Sequence, residues 1–148
     1  MMNAIDFLVK EHNHVRKILA EISDDSHLIE TKRKMFQSLC DDLIRHESME
    51  HEVWYPHFKN DTRLNETVRH LLTEEKSAEK AIKQFDNINA PKQWEIKFSK
   101  LKHDVEQHAQ EEEQELFPEI KKLLSDDELE QIGIEMFHFK KEYKESSH

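Results

Sequence analysis

Two stretches of the chain repeat one pattern of residues that can bind a metal. "HESMEHEVWYP" occupies positions 46–56 and "HAQEEEQELFP" occupies positions 108–118. In each stretch a glutamate follows the histidine by four positions, an aromatic residue by nine and a proline by ten, so the copies are offset by 62 at all four positions. Residues four apart lie on one face of a helix, about 5 to 6 Å apart at Cβ. Each imidazole and carboxylate pair can therefore engage a single metal centre.

Both pairs interrupt a stripe of apolar residues at helical spacing, which we call a seam. The seam of the second predicted helix is Phe36, Leu39, Leu43, His46, Glu50 and Val53, and that of the fourth is Phe98, Leu101, Val105, His108, Glu112 and Leu116. The steps of three and four continue through the polar residues, so these side chains are predicted to point into the core. A solvated acidic face, the common fate of such charged runs, does not fit apolar residues on both sides.

The first and third predicted helices have similar seams. They read Leu8, His12, Val15, Leu19 and Ile22 in the first, and Leu71, Glu75, Ala78, Ile82 and Phe85 in the third. The offset of 62 would send His12 to position 74, and the best-fitting seam places its equivalent one later, at Glu75. We therefore interpret the chain as two similar helix pairs, with Glu75 where a histidine would make the halves match. Glu79, one turn later, is the alternative, and an exposed charged turn is a further reading of this stretch.

The elements that carry these seams predict an all-α fold. One glycine and three prolines among 148 residues favour helices over a turn-rich β fold. Asn3 is placed to cap the first helix, Pro91 to begin the fourth, and Ser125 with Glu128 to form a capping box ahead of a fifth. Short connections favour an up-down-up-down four-helix bundle with a short fifth C-terminal helix. We expect residues 1–148 to form a single domain.

Six polar side chains then face the core of the bundle: His12, His46, Glu50, Glu75, His108 and Glu112. Left unpaired, each ionised group would cost several kcal/mol, more than an ordinary stability margin allows for six of them. A bound metal removes this difficulty. Imidazole and carboxylate ligands without a thiolate favour iron, manganese or zinc over copper(I) or an iron–sulfur cluster. The ligand count favours two ions, with Glu50 and Glu112 as bridges and the other four groups as terminal ligands, and leaves open positions for chemistry.

Charge and cysteine content exclude several other classes of function. A formal net charge of −10 argues against nucleic acid and against an anionic membrane surface as partners. No apolar run approaches the roughly 18 to 20 residues that a membrane span needs. Cys40 is the single cysteine, and the N-terminal residues lack the pattern of a secretory signal, so we expect a cytoplasmic protein.

The pattern resembles the hemerythrin-like, or HHE cation-binding, family. "EHNHV" resembles its first-helix histidine motif, and the two stretches quoted above resemble its paired motifs ahead of an aromatic residue and proline. The resemblance implies a four-helix bundle around a non-haem centre of two iron ions with oxo or hydroxo and carboxylate bridges. It further implies a small-molecule ligand: dioxygen, nitric oxide or hydrogen peroxide.

The chain departs from the family in its third predicted helix. Family members usually have a histidine in this region, whereas "LTEEKSAEKAI" has none. We hypothesise that a carboxylate in place of a neutral imidazole favours the ferric state and disfavours reversible oxygen carriage. Binding or reduction of an oxidant leads the alternatives, with iron storage or delivery and a metal-dependent sensing module beside it. Enzymatic turnover, as peroxide consumption or ferroxidase activity, stays undecided, as does any electron donor.

Other polar and aromatic residues near the motifs are assigned ordinary roles. Glu47 is expected to be exposed, with metal ligation as the alternative. Core packing that keeps water from the site is expected of Tyr55, Phe117, Met136 and Phe137. A solvent-facing position is expected of Glu111, Glu113 and Glu115. Ordinary surface or packing positions are expected of His14, His27, His51, His70, His103, His138 and His148.

Overall fold

Helices make up the architecture of the chain. The computed structural model describes residues 2–58 and 60–146, with the backbone alone for 144–146, so His148 lies outside the described residues. The helices are α1 Ala4–Ile22, α2 Ile29–Met49, α3 Asn65–Gln84, α4 Pro91–Glu111, α5 Phe117–Leu123 and α6 Asp126–Ser146. No strand occurs in these ranges. A π-helical turn, Glu112–Leu116, joins α4 and α5 into one continuous rod, so four rods form the bundle and α6 is the fifth helix.

The predicted fold class is confirmed, and the sequence signals for helix ends are where they were expected. The Asp6 amide donates to Asn3 Oδ1 at 2.9 Å, and Pro91 occupies the first turn of α4. The capping box is complete, because the Glu128 amide donates to Ser125 Oγ and the Ser125 amide donates to a Glu128 carboxylate oxygen. None of the helices in the described ranges combines the length and apolar character of a transmembrane span.

The fifth helix is longer than predicted. α6 has 21 residues, as many as α2 and α4, so the expectation of a short helix was wrong. Lys140, in its C-terminal half, reaches Glu11 of α1 with Nζ 2.7 Å from Oε2, and this contact helps hold the helix against the bundle. Gly133 allows the close approach, since a Cβ there would lie 2.5 Å from the Met2 carbonyl oxygen.

Both paired motifs run into a π-helical turn at their glutamate. Glu50 opens the turn Glu50–Trp54 and Glu112 opens the turn Glu112–Leu116, so the repeat seen in the sequence is also a repeat of backbone geometry. A π turn accommodates an extra residue, which rotates the residues beyond it around the helix axis. This explains why Trp54 is fully buried, whereas Val53, the predicted seam residue, is only partly buried.

Two apolar clusters fill the bundle at its two ends. One gathers residues from the start of α1, the first π turn, α5 and α6, including Leu8 and Trp54. The other gathers residues from the opposite halves of α1 to α4, including Leu19 and Phe98. His12 lies between the two along α1, since Leu8 belongs to one cluster and Val15 to the other. The polar residues of the seams thus form a layer between two dry regions.

Candidate metal centre

The structure brings all six predicted site residues together in the layer between the apolar clusters. Glu50 and Glu112 are fully buried, and His12 and Glu75 are 5% and 3% exposed. The side chains of His46 and His108 are 11% and 17% exposed. Glu75, and not the exposed Glu79, is the residue that α3 contributes to this layer.

The inward-facing atoms form two groups that share one carboxylate. His12, His46 and Glu112 make up the first group, and Glu50, Glu75, His108 and Glu112 make up the second. In each group the candidate ligand atoms lie within 4.8 Å of one another. Glu50 also approaches the first group, since its Oε1 is 3.1 Å from His46 Nε2. The two groups thus overlap at Glu112, and Glu50 lies within reach of both.

Several of these atoms approach one another without making a directed hydrogen bond. His12 Nε2 is 3.5 Å from Glu112 Oε1, and His108 Nε2 is 3.3 Å from the same oxygen. These atoms and both carboxylate oxygens of Glu50 are buried without a hydrogen-bond partner among the described residues. Buried polar atoms of a native protein are almost always satisfied. Nitrogen and oxygen atoms that converge in this way suit a metal ion, so the residues fit such a group.

A second layer of carboxylates orients the three histidines. His46 Nδ1 is 2.8 Å from Glu11, His12 Nδ1 is 2.7 Å from Glu113, and His108 Nδ1 is 3.0 Å from Glu74. In each ring Nδ1 points outward and Nε2 points towards the centre. A histidine that binds a metal commonly donates its other ring N–H to a carboxylate in this way. Each of these outer carboxylates is directly adjacent in sequence to a residue of the inner layer, at His12, Glu112 and Glu75 respectively.

Cationic side chains back two of these outer carboxylates. Arg16 Nη1 is 3.0 Å from Glu113, and Lys140 Nζ is 2.7 Å from Glu11. Burial raises the pKa of the Glu11 carboxyl, but hydrogen bonds and charge from His46 and Lys140 outweigh it and lower the pKa to about 2. Glu113 likewise has a lowered pKa, because His12 and Arg16 outweigh its burial. The expectation that Glu113 faces water was wrong, because its side chain is only 24% exposed and contacts His12 and Arg16.

Two side chains that were expected to have ordinary packing or surface roles contact Glu75. The Tyr55 hydroxyl lies 3.2 Å from Glu75 Oε2 and equally far from Glu112 Oε2, so this buried phenol is more than packing. His51 Nε2 is 2.9 Å from Glu75 Oε1, although its ring is 45% exposed. Burial raises the pKa of Glu75, but the adjacent His108 imidazole and the hydrogen bond with His51 outweigh it and lower the pKa below its ordinary value. Glu75 is therefore held as a carboxylate.

Without a metal the charges of this layer are unbalanced. Burial, and then the charges of Glu112 and Glu75, raise the pKa of Glu50 well above its ordinary value. Burial raises the pKa of Glu112 too, but the adjacent Glu50, His108 and His12 side chains outweigh it and hold the pKa well below the ordinary value. Burial lowers the pKa of His108, but the nearby carboxylates of Glu112 and Glu75 outweigh this and raise the pKa to about 12. The layer thus gathers protons in the absence of a cation, and a cation would displace them.

A cavity of about 240 Å³ opens onto the inner layer from the side of the second apolar cluster. Its apolar wall is formed by Val15, Leu19, Leu43, Ala78, Ile82 and Val105. Glu47 also lines it and is half-buried, so its expected exposure was wrong. Burial, and then the charges of Glu75 and Glu79, raise the pKa of Glu47 to about 8.

Phe137, expected in the core, is 58% exposed on α6, because that helix turns Met136 inward instead.

Comparison with known proteins agrees with this architecture. Residues 3–120 match the family model described as Hemerythrin HHE cation binding domain. No curated protein gives a significant match. A crystal structure of a Hemerythrin HHE cation binding domain-containing protein, the Rv2633c homolog from Mycobacterium kansasii, is similar with a TM-score of 0.83 and 24% sequence identity. The alignment covers 99% of this chain and 90% of that one. The chain therefore belongs to the hemerythrin HHE cation-binding domain family.

Proposed function

We propose that this protein is a non-haem di-iron protein that binds or reduces a small oxidant: dioxygen, nitric oxide or hydrogen peroxide. The observation that carries the proposal is the pair of ligand groups that share Glu112, next to a cavity with apolar walls. One ion would be held by His12, His46 and Glu112, and the other by Glu75, His108 and Glu112. Glu50 would complete the set as a second bridging carboxylate, since it lies within reach of both groups.

Iron would supply the redox chemistry of this site, and manganese or zinc are the alternatives that the same ligands accept. The chain itself provides three things. The outer carboxylates fix the ring orientation of the three histidines, as described above. The apolar side chains of the cavity would limit the water that reaches the inner layer. Glu47 adds a carboxyl group at the cavity surface, where burial and the charges of Glu75 and Glu79 raise its pKa to about 8 in the metal-free protein.

The size of the cavity supports a small ligand. One water molecule accounts for about 30 Å³ of the liquid. A volume of about 240 Å³ therefore has room for an oxidant of two heavy atoms together with a few waters. The apolar wall favours an uncharged molecule such as dioxygen, nitric oxide or hydrogen peroxide.

We further propose that residues 1–148 act as one domain, that the protein works in the cytoplasm, and that an unidentified electron donor serves any catalytic turnover. Packing of α6 against α1 supports the first point, through Gly133 and the contact of Lys140 with Glu11. The single cysteine supports the second point, because it cannot form an intramolecular disulfide and disulfides are rare in the reducing cytoplasm.

Metal content tests the proposal most directly. The protein should be purified without added metal from iron-replete cells, and its metals counted per chain by elemental analysis. We expect about two iron ions per chain. Glu112→Ala should lose most of them, because it removes the carboxylate common to both groups, whereas the exposed Glu115→Ala should keep them. One ion per chain, or mainly zinc, would instead favour a structural or storage role.

Peroxide consumption then separates the remaining functions. An enzyme would consume many equivalents of hydrogen peroxide per chain, and the rate would fall with loss of iron in Glu112→Ala. A binding or sensing module would form a stable adduct, visible as a lasting absorption change, without continued consumption. Iron storage or delivery would show as iron that passes readily to a chelator. A protein without bound metal would contradict the whole proposal.

A further inference from the structure

The three outer carboxylates differ in what lies behind them. Glu113, which bonds to His12, is backed by Arg16, and Glu11, which bonds to His46, is backed by Lys140. Both carboxylates therefore have a histidine on one side and a permanent positive charge on the other. This cation offsets the negative charge of each outer carboxylate.

Glu74, the partner of His108, has no such cation. Among the described residues, no lysine or arginine lies within 4 Å of its carboxylate, and its ion-pair partners are histidines. Its Oε1 faces His108, whereas its Oε2 faces His70 Nε2 at 3.6 Å. A second carboxylate, Glu111, lies against Glu74 and is 3.2 Å from the same His70 nitrogen. Two carboxylates thus meet where the other two histidine–glutamate pairs have a cation.

We propose that His70, Glu74 and Glu111 form an accessory site for one divalent transition-metal cation. The candidate ligand atoms of the three residues lie within 4.8 Å of one another, so one ion can contact all three. One imidazole and two carboxylates are a ligand set that zinc, iron(II) and manganese(II) accept. The bound cation takes the place behind Glu74 that Arg16 and Lys140 take behind the other two outer carboxylates. None of the three residues belongs to the inner layer of six.

The exposure of the site limits its affinity for the cation, and Glu74 connects the site to the buried centre. His70 is 58% exposed and the two carboxylates are 27% and 20% exposed, so the cation keeps part of its water shell and binds more weakly than in the buried layer. Glu74 would offer Oε2, which faces His70, to the new cation, whereas its Oε1 contacts His108 Nδ1. On the proposed function, occupancy of the accessory site is therefore transmitted to one ligand of the buried centre.

Zinc binding to the metal-free full-length protein tests the site. Equilibrium dialysis at pH 7 would compare the wild type with His70→Ala and with the matched control His14→Ala, whose histidine is equally exposed, at 61%, and faces Asp42 away from this cluster. We expect the wild type and His14→Ala to share a weak binding step of one zinc ion per chain. In His70→Ala the affinity of that step should fall by roughly tenfold or more, since even loss of an outer partner of a metal ligand has an effect of this size.

A second variant protects the result against a folding defect. Glu111→Gln keeps the size of the side chain and removes one carboxylate, and it should weaken the same step while its melting temperature stays near that of the wild type. If both variants bind zinc with the isotherm of the wild type, the proposal is wrong. Because all variants keep the six inner residues, a buried centre that binds no metal would lower every isotherm equally. That outcome contradicts the proposed function. The difference in zinc binding between His70→Ala and the wild type would still decide the accessory site.

Discussion

The substitution Glu50→Gln tests whether a buried carboxylate destabilises the metal-free protein and contributes to metal binding. Glu50 is fully buried, its two oxygens lack directed hydrogen bonds among the described residues, and Glu112 and Glu75 add negative charge beside it. Glutamine has nearly the same shape but no charge, and its amide can donate to Glu112. We therefore expect Glu50→Gln to stabilise the metal-free protein and to weaken its response to metal.

The magnitude follows from the burial of this group. A buried polar group without a partner costs about 1 to 3 kcal/mol. For a chain of this length each kcal/mol corresponds to about 2 to 4 °C, so the melting temperature of the metal-free variant should rise by about 2 to 12 °C. The difference should also grow as pH rises above about 4.5. The raised pKa of Glu50 means that folding takes up a proton there, so the wild type loses stability with rising pH through this group, and the variant lacks that loss.

Thermal unfolding followed by circular dichroism, with and without iron(II) under anaerobic conditions, measures both effects. A metal at a hundred times its dissociation constant stabilises a protein by about 2.7 kcal/mol, and the variant should gain less because it lacks one bridging carboxylate. Glu79→Gln, the same change at an exposed position of α3, should stay within about 0.5 kcal/mol of the wild type. A metal-free Glu50→Gln protein less stable than the wild type would refute the reasoning, since Glu50 would then be satisfied by protein groups alone.

Three further substitutions or reactions test separate parts of the structure. Glu75→His should raise the reduction potential of the iron-loaded protein by about 60 mV or more in a redox titration, because it removes a negative ligand, and an unchanged or lower potential contradicts this. Gly133→Ala should lower the melting temperature by about 2 to 8 °C despite a better helix propensity, since its Cβ would meet the Met2 carbonyl oxygen at 2.5 Å, and a higher melting temperature would show that α6 shifts freely. Burial raises the pKa of the Cys40 thiol to about 12, so iodoacetamide at pH 8 should alkylate the folded protein about a thousandfold more slowly than the urea-unfolded chain, with a rate that climbs towards pH 12; equal rates in both states would refute the burial.

The inner layer was accessible from the sequence because it interrupts a periodic pattern. His46 and Glu50 replace apolar residues in an otherwise regular seam, and helical spacing alone places them inward. The same argument selected Glu75 over Glu79, and the structure agrees in placing Glu75 in the core and Glu79 in solvent. The fold class followed from the same seams, since four amphipathic helices with short connections have few ways to pack.

The outer layer was not accessible in this way. Glu113 belongs to a run of glutamates in which periodicity predicts a solvent-facing position, and its contact with His12 depends on how α1 crosses the second π turn. Such a contact joins helices about a hundred positions apart in sequence and requires their relative rotation. Adjacency in sequence was the one available signal, because each outer carboxylate neighbours an inner residue. The π turns were hidden too, and they explain why Trp54 is buried in place of Val53.

The presence of a glutamate at position 75 makes the two halves of the centre chemically unequal. The first group has two imidazoles, from His12 and His46, whereas the second has His108 and the carboxylate of Glu75. Tyr55 and His51 stabilise that carboxylate by hydrogen bonds, so its negative charge is supported by the surrounding structure. Hard carboxylate ligands favour a more highly charged ion than imidazoles do. Two ions in this layer would therefore meet different ligand fields, although the sequence motifs that place His46 with Glu50 and His108 with Glu112 are equivalent.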